Sequence, residues 1–99
     1  MKGAAMKEQH IVSASRMLKT LADETRLRIL LLLKQEELSV KALCERLGME
    51  QSALSHQLAV LKRERLVTSR RQGRSSLYRP SDHHVYTVLQ QVQEHVEEI

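Results

Sequence analysis

Four side chains near the C-terminal end of the chain have the types and the spacing of metal ligands: Asp82, His84, His95 and Glu98. Two imidazoles and two carboxylates make a closed set that suits Zn²⁺, and a set with no vacant position favours a regulatory or structural role over catalysis. His84 and His95 are eleven residues apart, which places them on one helix face but separates them by about 16 Å along the axis. One ion cannot join them within one chain, because its ligand bonds are about 2 Å long.

A second copy of the same helix would bring these ligands together. If two helices pack antiparallel about a two-fold axis, Asp82 and His84 of one copy face His95 and Glu98 of the other, at two equivalent sites. Asp82 must then precede the helix, because two helical residues two positions apart point about 200° apart. On the same geometry His83 points away from His95 and is predicted to be either a surface residue or a residue that contacts a ligand without binding the metal itself. A polar stripe beside a dimer seam remains the alternative interpretation.

The composition limits what kind of domain positions these ligands. The 99 residues suffice for one small domain, and two tyrosines as the whole aromatic content require an aliphatic core. Three glycines and one proline argue against an all-β fold. The single cysteine, Cys44, excludes an intrachain disulfide and fits a reducing compartment. No signal-peptide pattern or membrane-length apolar run is present, so we predict a cytoplasmic location.

Charge is distributed unevenly along the chain, although the net charge is only +4. Residues 62–80 contain seven basic residues and one acidic residue, whereas residues 81–99 contain four acidic residues and no Lys or Arg. This pattern predicts one face that binds a polyanion and a separate face that attracts cations. A solvated charged surface would also explain the charge pattern taken alone.

Apolar spacing and capping residues predict about five helices. Asp23 and Ser39 are suitable N-caps, and Gly48 suits the left-handed position that ends a helix. The predicted helices cover residues 7–21, 24–34, 40–47, 51–65 and 83–97. The second is apolar on most sides between Leu27 and Leu33, so we expect it to be the buried central helix.

The third and fourth helices, joined by a turn containing Gly48, have the pattern of a helix-turn-helix. The fourth helix turns Leu54, Leu58 and Leu61 inward. Its outward side near the start carries short polar side chains, which are able to reach base edges in a major groove. These predicted DNA-facing residues are Gln51, Ser52, Ser55, His56 and Gln57. A routine helix hairpin is the alternative.

A basic β-hairpin is predicted after the fourth helix. Residues 67–71 and 75–78 favour strands, residues 72–74 form the turn, and Pro80 closes the hairpin. A basic hairpin directly after a recognition helix is a wing that touches phosphates or a minor groove. The predicted backbone contacts are Lys62, Arg63, Arg71 and Arg74.

The last helix carries an apolar seam that we predict to form a homodimer interface. The seam consists of Val85, Val88, Leu89, Val92, Val96 and Ile99. The predicted fold is therefore mainly α with one β-hairpin, a winged helix-turn-helix that dimerises through its terminal helices. It comprises one domain over residues 1–99, with 1–6 disordered, 39–65 as the helix-turn-helix, 66–79 as the wing and 82–98 as the dimerisation and metal-binding helix.

From about residue 16 to residue 98, the chain resembles the ArsR/SmtB family of bacterial winged-helix repressors. The segments that carry this resemblance are LADETRLRIL at 21–30, QSALSHQL at 51–58, RQGR at 71–74 and the pattern Asp82-x-His84 … His95-x-x-Glu98. The resemblance implies a homodimer that binds an inverted-repeat operator in double-stranded DNA without metal. It further implies that Zn²⁺, or Co²⁺ or Ni²⁺, binds across the paired last helices, lowers DNA affinity and derepresses a metal-efflux or resistance gene. No enzymatic activity, membrane or small-molecule substrate is implied.

One departure from the family narrows the kind of metal site that the chain is expected to have. The arsenic-sensing branch has a Cys-x-Cys pair before the recognition helix, where this chain has Ser39 and Lys41, so a thiolate site is absent there. Cys44 is expected to be a small, half-buried residue and not a ligand. A regulator that responds to another divalent metal or to a redox signal remains the alternative. For the metal-sensing case, we hypothesise that His95 acts on the DNA-binding half through a backbone carbonyl near Arg65.

Overall fold

The computed structural model describes residues 6–98, which form five α-helices and three β-strands. The helices are α1 (Glu8–Leu21), α2 (Glu24–Gln35), α3 (Val40–Leu47), α4 (Gln51–Arg63) and α5 (His83–Glu97). The strands are β1 (Leu38–Ser39), β2 (Val67–Gln72) and β3 (Ser75–Pro80). The predicted winged helix-turn-helix fold is confirmed. The prediction of a disordered segment at 1–6 falls almost wholly outside the described residues.

Local capping starts three helices where the sequence predicts. The Asp23 carboxylate accepts a hydrogen bond from the Arg26 backbone N–H at 3.0 Å, and the Ser39 hydroxyl accepts one from Ala42 at 3.1 Å. Asp82 caps α5 by accepting a hydrogen bond from the His84 backbone N–H at 3.0 Å. These side chains satisfy backbone donors that a helix start leaves without partners.

Helix α4 ends two residues earlier than predicted, because Arg65 adopts a left-handed conformation with φ of 61°. The Leu66 N–H donates to the Leu61 carbonyl at 2.8 Å, and the Arg65 N–H donates to Lys62 at 3.0 Å. This is the Schellman pattern, which usually has glycine at the left-handed position. Helix α3 ends in a similar way with Gly48 at φ of 66°. Burial of Leu61 and Leu66, both 0% exposed, compensates for the strain at Arg65.

The wing is part of a three-stranded antiparallel sheet in the order β1-β3-β2. Gln72 pairs with Ser75, so the turn between β2 and β3 has two residues, one fewer than predicted. Gly73 occupies the first turn position with φ of 62°. A two-residue hairpin turn with a positive φ at this position favours glycine. Strand β1 pairs Leu38 with Tyr78 and was not predicted, because two residues are too short to show a periodicity.

The core lies between α2, α3, α4 and the start of the sheet, and it is aliphatic as expected. The prediction that α2 is buried on most sides holds for Ile29, Leu30 and Leu33, which are almost fully buried, but not for Leu31, which is 40% exposed. Leu31 faces a groove shared with α1 and α5. None of the helices within residues 6–98 is long and apolar enough to cross a membrane.

Candidate functional site

The start of α4 presents a polar, exposed surface. Leu54 and Leu58 are buried in the core, so the opposite side of the first two turns faces solvent. Gln51, Ser52, Ser55 and His56 are all exposed there. Short hydrogen-bonding side chains on an exposed helix of this kind are suited to reading base edges in a major groove.

Gln57 differs from its four predicted companions because it is half-buried. Its side-chain oxygen accepts a hydrogen bond of 2.9 Å from the Nε atom of Arg26 on α2. Its amide oxygen is therefore engaged within the protein, while its NH₂ group remains a potential donor. The DNA-facing role of Gln57 stays a prediction.

Positive charge on the wing is concentrated at its tip. Arg71 and Arg74 flank Gly73 and are both exposed. At the base of the wing, the Glu37 carboxylate lies 2.8 Å from Arg70 Nη2 and 3.7 Å from Arg79 Nη1. Glu37 therefore offsets the basic residues nearest the core and leaves the tip as the more electropositive part of the hairpin.

Two further basic residues predicted to contact the DNA backbone lie at the end of α4. Lys62 and Arg63 are both exposed. Lys62 Nζ donates to Ser69 Oγ of β2 at 3.2 Å, and Arg63 Nε lies 3.8 Å from the Glu64 carboxylate. Exposed contacts of this length contribute little stability, so both cations remain available to phosphates.

Asp82 and His84 lie together at the start of α5. Asp82 Oδ1 is 3.4 Å from His84 Nδ1, and both side chains are largely exposed. Desolvation raises the pKa of the Asp82 carboxyl, but the hydrogen bonds from the His84 side chain and from the backbone of His84 and Val85 outweigh it, so the pKa lies below its ordinary value. An ionised carboxylate beside an imidazole fits one half of a zinc site.

His95 and Glu98 lie at the other end of α5, and both are exposed. Among residues 6–98 of one chain, no three His, Cys, Asp or Glu side chains are close enough to hold a metal ion together. A four-ligand site formed from this helix therefore requires a second copy. His83 stacks beside His84 with ring centroids 4.3 Å apart.

The Asp82–His84 pair shares a surface cleft with the end of the recognition helix. The cleft has a volume of 270 Å³ and includes Arg65, Leu66 and Val88 in its lining. The Arg65 carbonyl accepts a hydrogen bond from the Ser81 hydroxyl, and the Ser81 N–H donates to Leu66 at 3.1 Å. The start of α5 is thus attached directly to the junction between α4 and the wing.

An exposed apolar groove of 440 Å³ runs between α1, α2 and α5. The predicted seam of α5 divides here: Val85 and Leu89 are buried in the domain, whereas Val88, Val92 and Val96 are 41%, 53% and 58% exposed. Ile99 lies outside the described residues. From the other helices the groove is lined by Leu18, Leu21, Ala22, Leu27 and Leu31. Apolar surface of this extent on one face is typical of an interaction site.

Cys44 is a free, half-buried residue packed against the core, as expected.

The contact between Arg26 of α2 and Gln57 of α4 is not predicted from the sequence. A cation in the first turn of a helix opposes the helix dipole, so its presence there was a signal that it serves another element.

The fold is that of a winged helix-turn-helix protein. It combines a helix-turn-helix, a basic wing and a recognition helix, α4, with an exposed polar surface. The family profile described as "Bacterial regulatory protein, arsR family" matches residues 23–69. A transcriptional repressor SmtB homolog from Synechocystis sp. is 41% identical over 78 residues, covering 79% of this chain and 59% of that protein. Transcriptional activator HlyU from Vibrio cholerae is 39% identical over 94 residues, covering 91% of this chain and 87% of that protein.

Among solved structures, the homodimeric winged helix-turn-helix DNA-binding domain of Mb0332 from Mycobacterium bovis aligns with a TM-score of 0.86 at 33% identity, covering 99% of this chain and 92% of that one. The chain therefore belongs to the ArsR family of bacterial regulatory proteins, which confirms the resemblance noted in the sequence. These relatives are transcription regulators, so the prediction of a regulator and not an enzyme is also confirmed. The alignment spans about three fifths of the SmtB homolog's length.

Proposed function

We propose that the chain is a homodimeric, metal-responsive transcriptional repressor of the bacterial cytoplasm. Without metal, the dimer binds an inverted-repeat operator and blocks transcription. Metal binding by Asp82 and His84 of one copy with His95 and Glu98 of the other lowers DNA affinity. The regulated gene encodes a protein for metal efflux or metal resistance.

One observation carries this proposal: α5 has potential ligands at both ends and an exposed apolar face between them. The exposed Val88 and Val92 lie between the Asp82–His84 pair and His95, and the exposed Val96 lies between His95 and Glu98. Two such helices packed antiparallel would bury the valines and bring opposite ends together. The same packing would therefore form the interface and complete two sites.

DNA binding is supported by the surface of α4 and the wing. Gln51, Ser52, Ser55 and His56 form the exposed base-facing set, to which Gln57 can add its NH₂ group. Lys62, Arg63, Arg71 and Arg74 would contact phosphates or the minor groove. In a two-fold dimer, two recognition helices enter successive major grooves of an inverted repeat.

Regulation is a shift between two shapes of the dimer. When bound, the metal ion supplies a bridge between the two α5 helices. Asp82 is held ionised and oriented at the N-cap by its hydrogen bonds to His84, and Ser81 connects this point to the Arg65 carbonyl. The chain can therefore pass a change in α5 packing to the end of α4, with a coupling of about 1–3 kcal/mol. His95 is proposed to strengthen the connection between α5 and the end of α4 by donating its second ring N–H to a backbone carbonyl near Arg65.

Mixed dimers test whether each site is shared between copies. The first variant is Asp82→Ala with His84→Ala, and the second is His95→Ala with Glu98→Ala. Neither homodimer contains an intact site, but a heterodimer of the two contains one. We expect each homodimer to bind promoter DNA without responding to zinc. An equimolar mixture with random exchange contains about one half heterodimer, so calorimetry should recover about one quarter of the wild-type zinc stoichiometry, and about one half for the isolated heterodimer.

His83→Ala is the matched control, because it removes an exposed imidazole beside His84 and should leave zinc binding unchanged. If the mixture bound no zinc, the proposal that each site is shared between two copies would be wrong. Promoter binding measured in the presence of Zn²⁺, Co²⁺ or Ni²⁺ identifies the metal that gives the largest loss of DNA affinity.

A second candidate, a regulator that does not use this metal site, is favoured by the similarity to HlyU, which is named an activator. Promoter binding with and without metal separates the two. Equal affinity in both conditions, or transcription that rises when the metal-free protein is present, would support the second candidate.

A further inference from the structure

Arg26 joins three helices through a single side chain. Its Nε atom donates to Gln57 Oε1 on α4 at 2.9 Å, and its Nη1 atom donates to the Thr20 carbonyl at the end of α1 at 3.4 Å. Its own backbone N–H donates to the Asp23 cap of α2 at 3.0 Å. The end of α1, the start of α2 and the second turn of α4 therefore meet at this residue.

The position of Arg26 is explained by these contacts and not by its own helix. At the start of α2 a positive charge is unfavourable with respect to the helix dipole, whereas at the carbonyl end of α1 it is favourable. The side chain is half-buried, and hydrogen bonds from a charged donor are stronger where water is partly excluded. By contrast, Arg28 on the same helix is exposed and contacts Glu24 one turn away.

A second contact joins α1 to the end of α4. Arg16 Nε lies 3.0 Å from Glu64 Oε1, and the Glu64 side chain is only 9% exposed. Gln57 and Glu64 are seven residues apart, which corresponds to about 10 Å along a helix. Helix α4 is therefore contacted at two separate points, at Gln57 by Arg26 of α2 and at Glu64 by the exposed Arg16 of α1. The half-buried Arg26 contact is the stronger of the two, and the pair together constrains the direction of α4.

Helix α1 also contributes Leu18 and Leu21 to the apolar groove, so it connects the proposed dimer surface with the recognition helix. We propose that Arg26 is a positioning residue: through Gln57 it sets the orientation of the recognition helix relative to the dimer surface. This inference deepens the proposed DNA-binding function and rests on it. Base reading depends on this orientation, whereas attraction to phosphates depends mainly on charge.

Two DNA probes separate orientation from charge. The first is a duplex selected by the wild-type protein from a random library, and the second is an unrelated duplex of equal length. Arg26→Ala is compared with Arg28→Ala, which removes the same charge from the same helix. We expect Arg26→Ala to weaken binding to the selected duplex about tenfold more than Arg28→Ala, as the loss of a charge-assisted hydrogen bond implies. On the unrelated duplex, the two variants should bind equally.

A double-mutant cycle with Gln57→Ala tests whether Arg26 acts through Gln57. In the Gln57→Ala background, Arg26→Ala should cause little further loss of affinity for the selected duplex. Thermal unfolding and sedimentation of each variant establish that it is folded and dimeric. If Arg26→Ala fails to fold, Arg26→Lys takes its place, because one ammonium group keeps the charge but does not reproduce the two guanidinium contacts.

Equal losses of affinity for the selected duplex in the Arg26 and Arg28 variants would overturn the inference. It would also be overturned if Arg26→Ala lowered the affinity by the same factor with and without Gln57→Ala. If the wild-type protein selected no duplex, the proposed DNA-binding function would fail as well. These outcomes distinguish an error in the positioning role from an error in the function.

Discussion

Val92 offers a direct test of the proposed dimer interface. It lines the apolar groove on α5 and is 53% exposed. Complete burial of a valine side chain contributes about 1.5–3 kcal/mol, so burying the remaining half contributes about 1 kcal/mol per copy and about 2 kcal/mol per two-fold dimer. Val92→Glu removes this contribution and places two carboxylates in the interface, which costs several kcal/mol more if they stay buried. We therefore predict that Val92→Glu weakens dimerisation by at least about thirtyfold.

Sedimentation equilibrium over a range of protein concentrations measures this change. Gln91→Glu is the matched control, because it adds the same charge one residue earlier on the same helix, at an exposed position that does not line the groove. We expect this control to dimerise like the wild type and Val92→Glu to have a dimer dissociation constant at least about thirtyfold higher. If both variants dimerised equally well, the interface would not involve this face of α5, and the shared metal sites would have to be abandoned.

Three further predictions concern stability and DNA binding. Arg65→Gly should raise the free energy of unfolding by about 1 kcal/mol, because glycine adopts positive φ without strain; a lower melting temperature would contradict the strain assigned to Arg65. Asp23→Ala should lower the free energy of unfolding by about 1 kcal/mol through loss of the α2 cap, observed as a fall in melting temperature of roughly 4–8 °C. Arg71→Ala combined with Arg74→Ala should reduce the slope of log affinity against log salt by about 3.6, since the dimer loses four arginines and each phosphate contact contributes about 0.9; an unchanged slope would remove the wing tip from the DNA interface.

Much of the fold could be predicted from the sequence, because the helices are specified by local interactions. Asp23 and Ser39 cap the helices that follow them, and Gly48 ends α3 in the left-handed conformation. Leu54, Leu58 and Leu61 are buried as their spacing requires. The Asp82–His84 pair is also specified by local interactions, because the start of one helix brings an N-cap and a residue two positions later together.

Other features depended on contacts between distant segments. The two-residue strand β1 exists because Leu38 and Ser39 pair with β3, about 40 residues further along the chain. Helix α4 ends before Arg65 because Leu66 is buried against the core, although no glycine marks this position. The exposure of Leu31 and Val88 likewise depends on how α1, α2 and α5 are arranged.

The sequence alone determined the types and spacing of the proposed metal ligands, the polar surface of α4 and the basic wing, because these follow from helical and hairpin periodicity. Only the tertiary structure showed that Gln57 is held by Arg26, that Glu37 offsets the base of the wing, and that the Asp82–His84 pair lies beside Arg65. The physical reason is that periodicity determines which side of an element a residue occupies, whereas its partner depends on the packing of elements far apart in the chain.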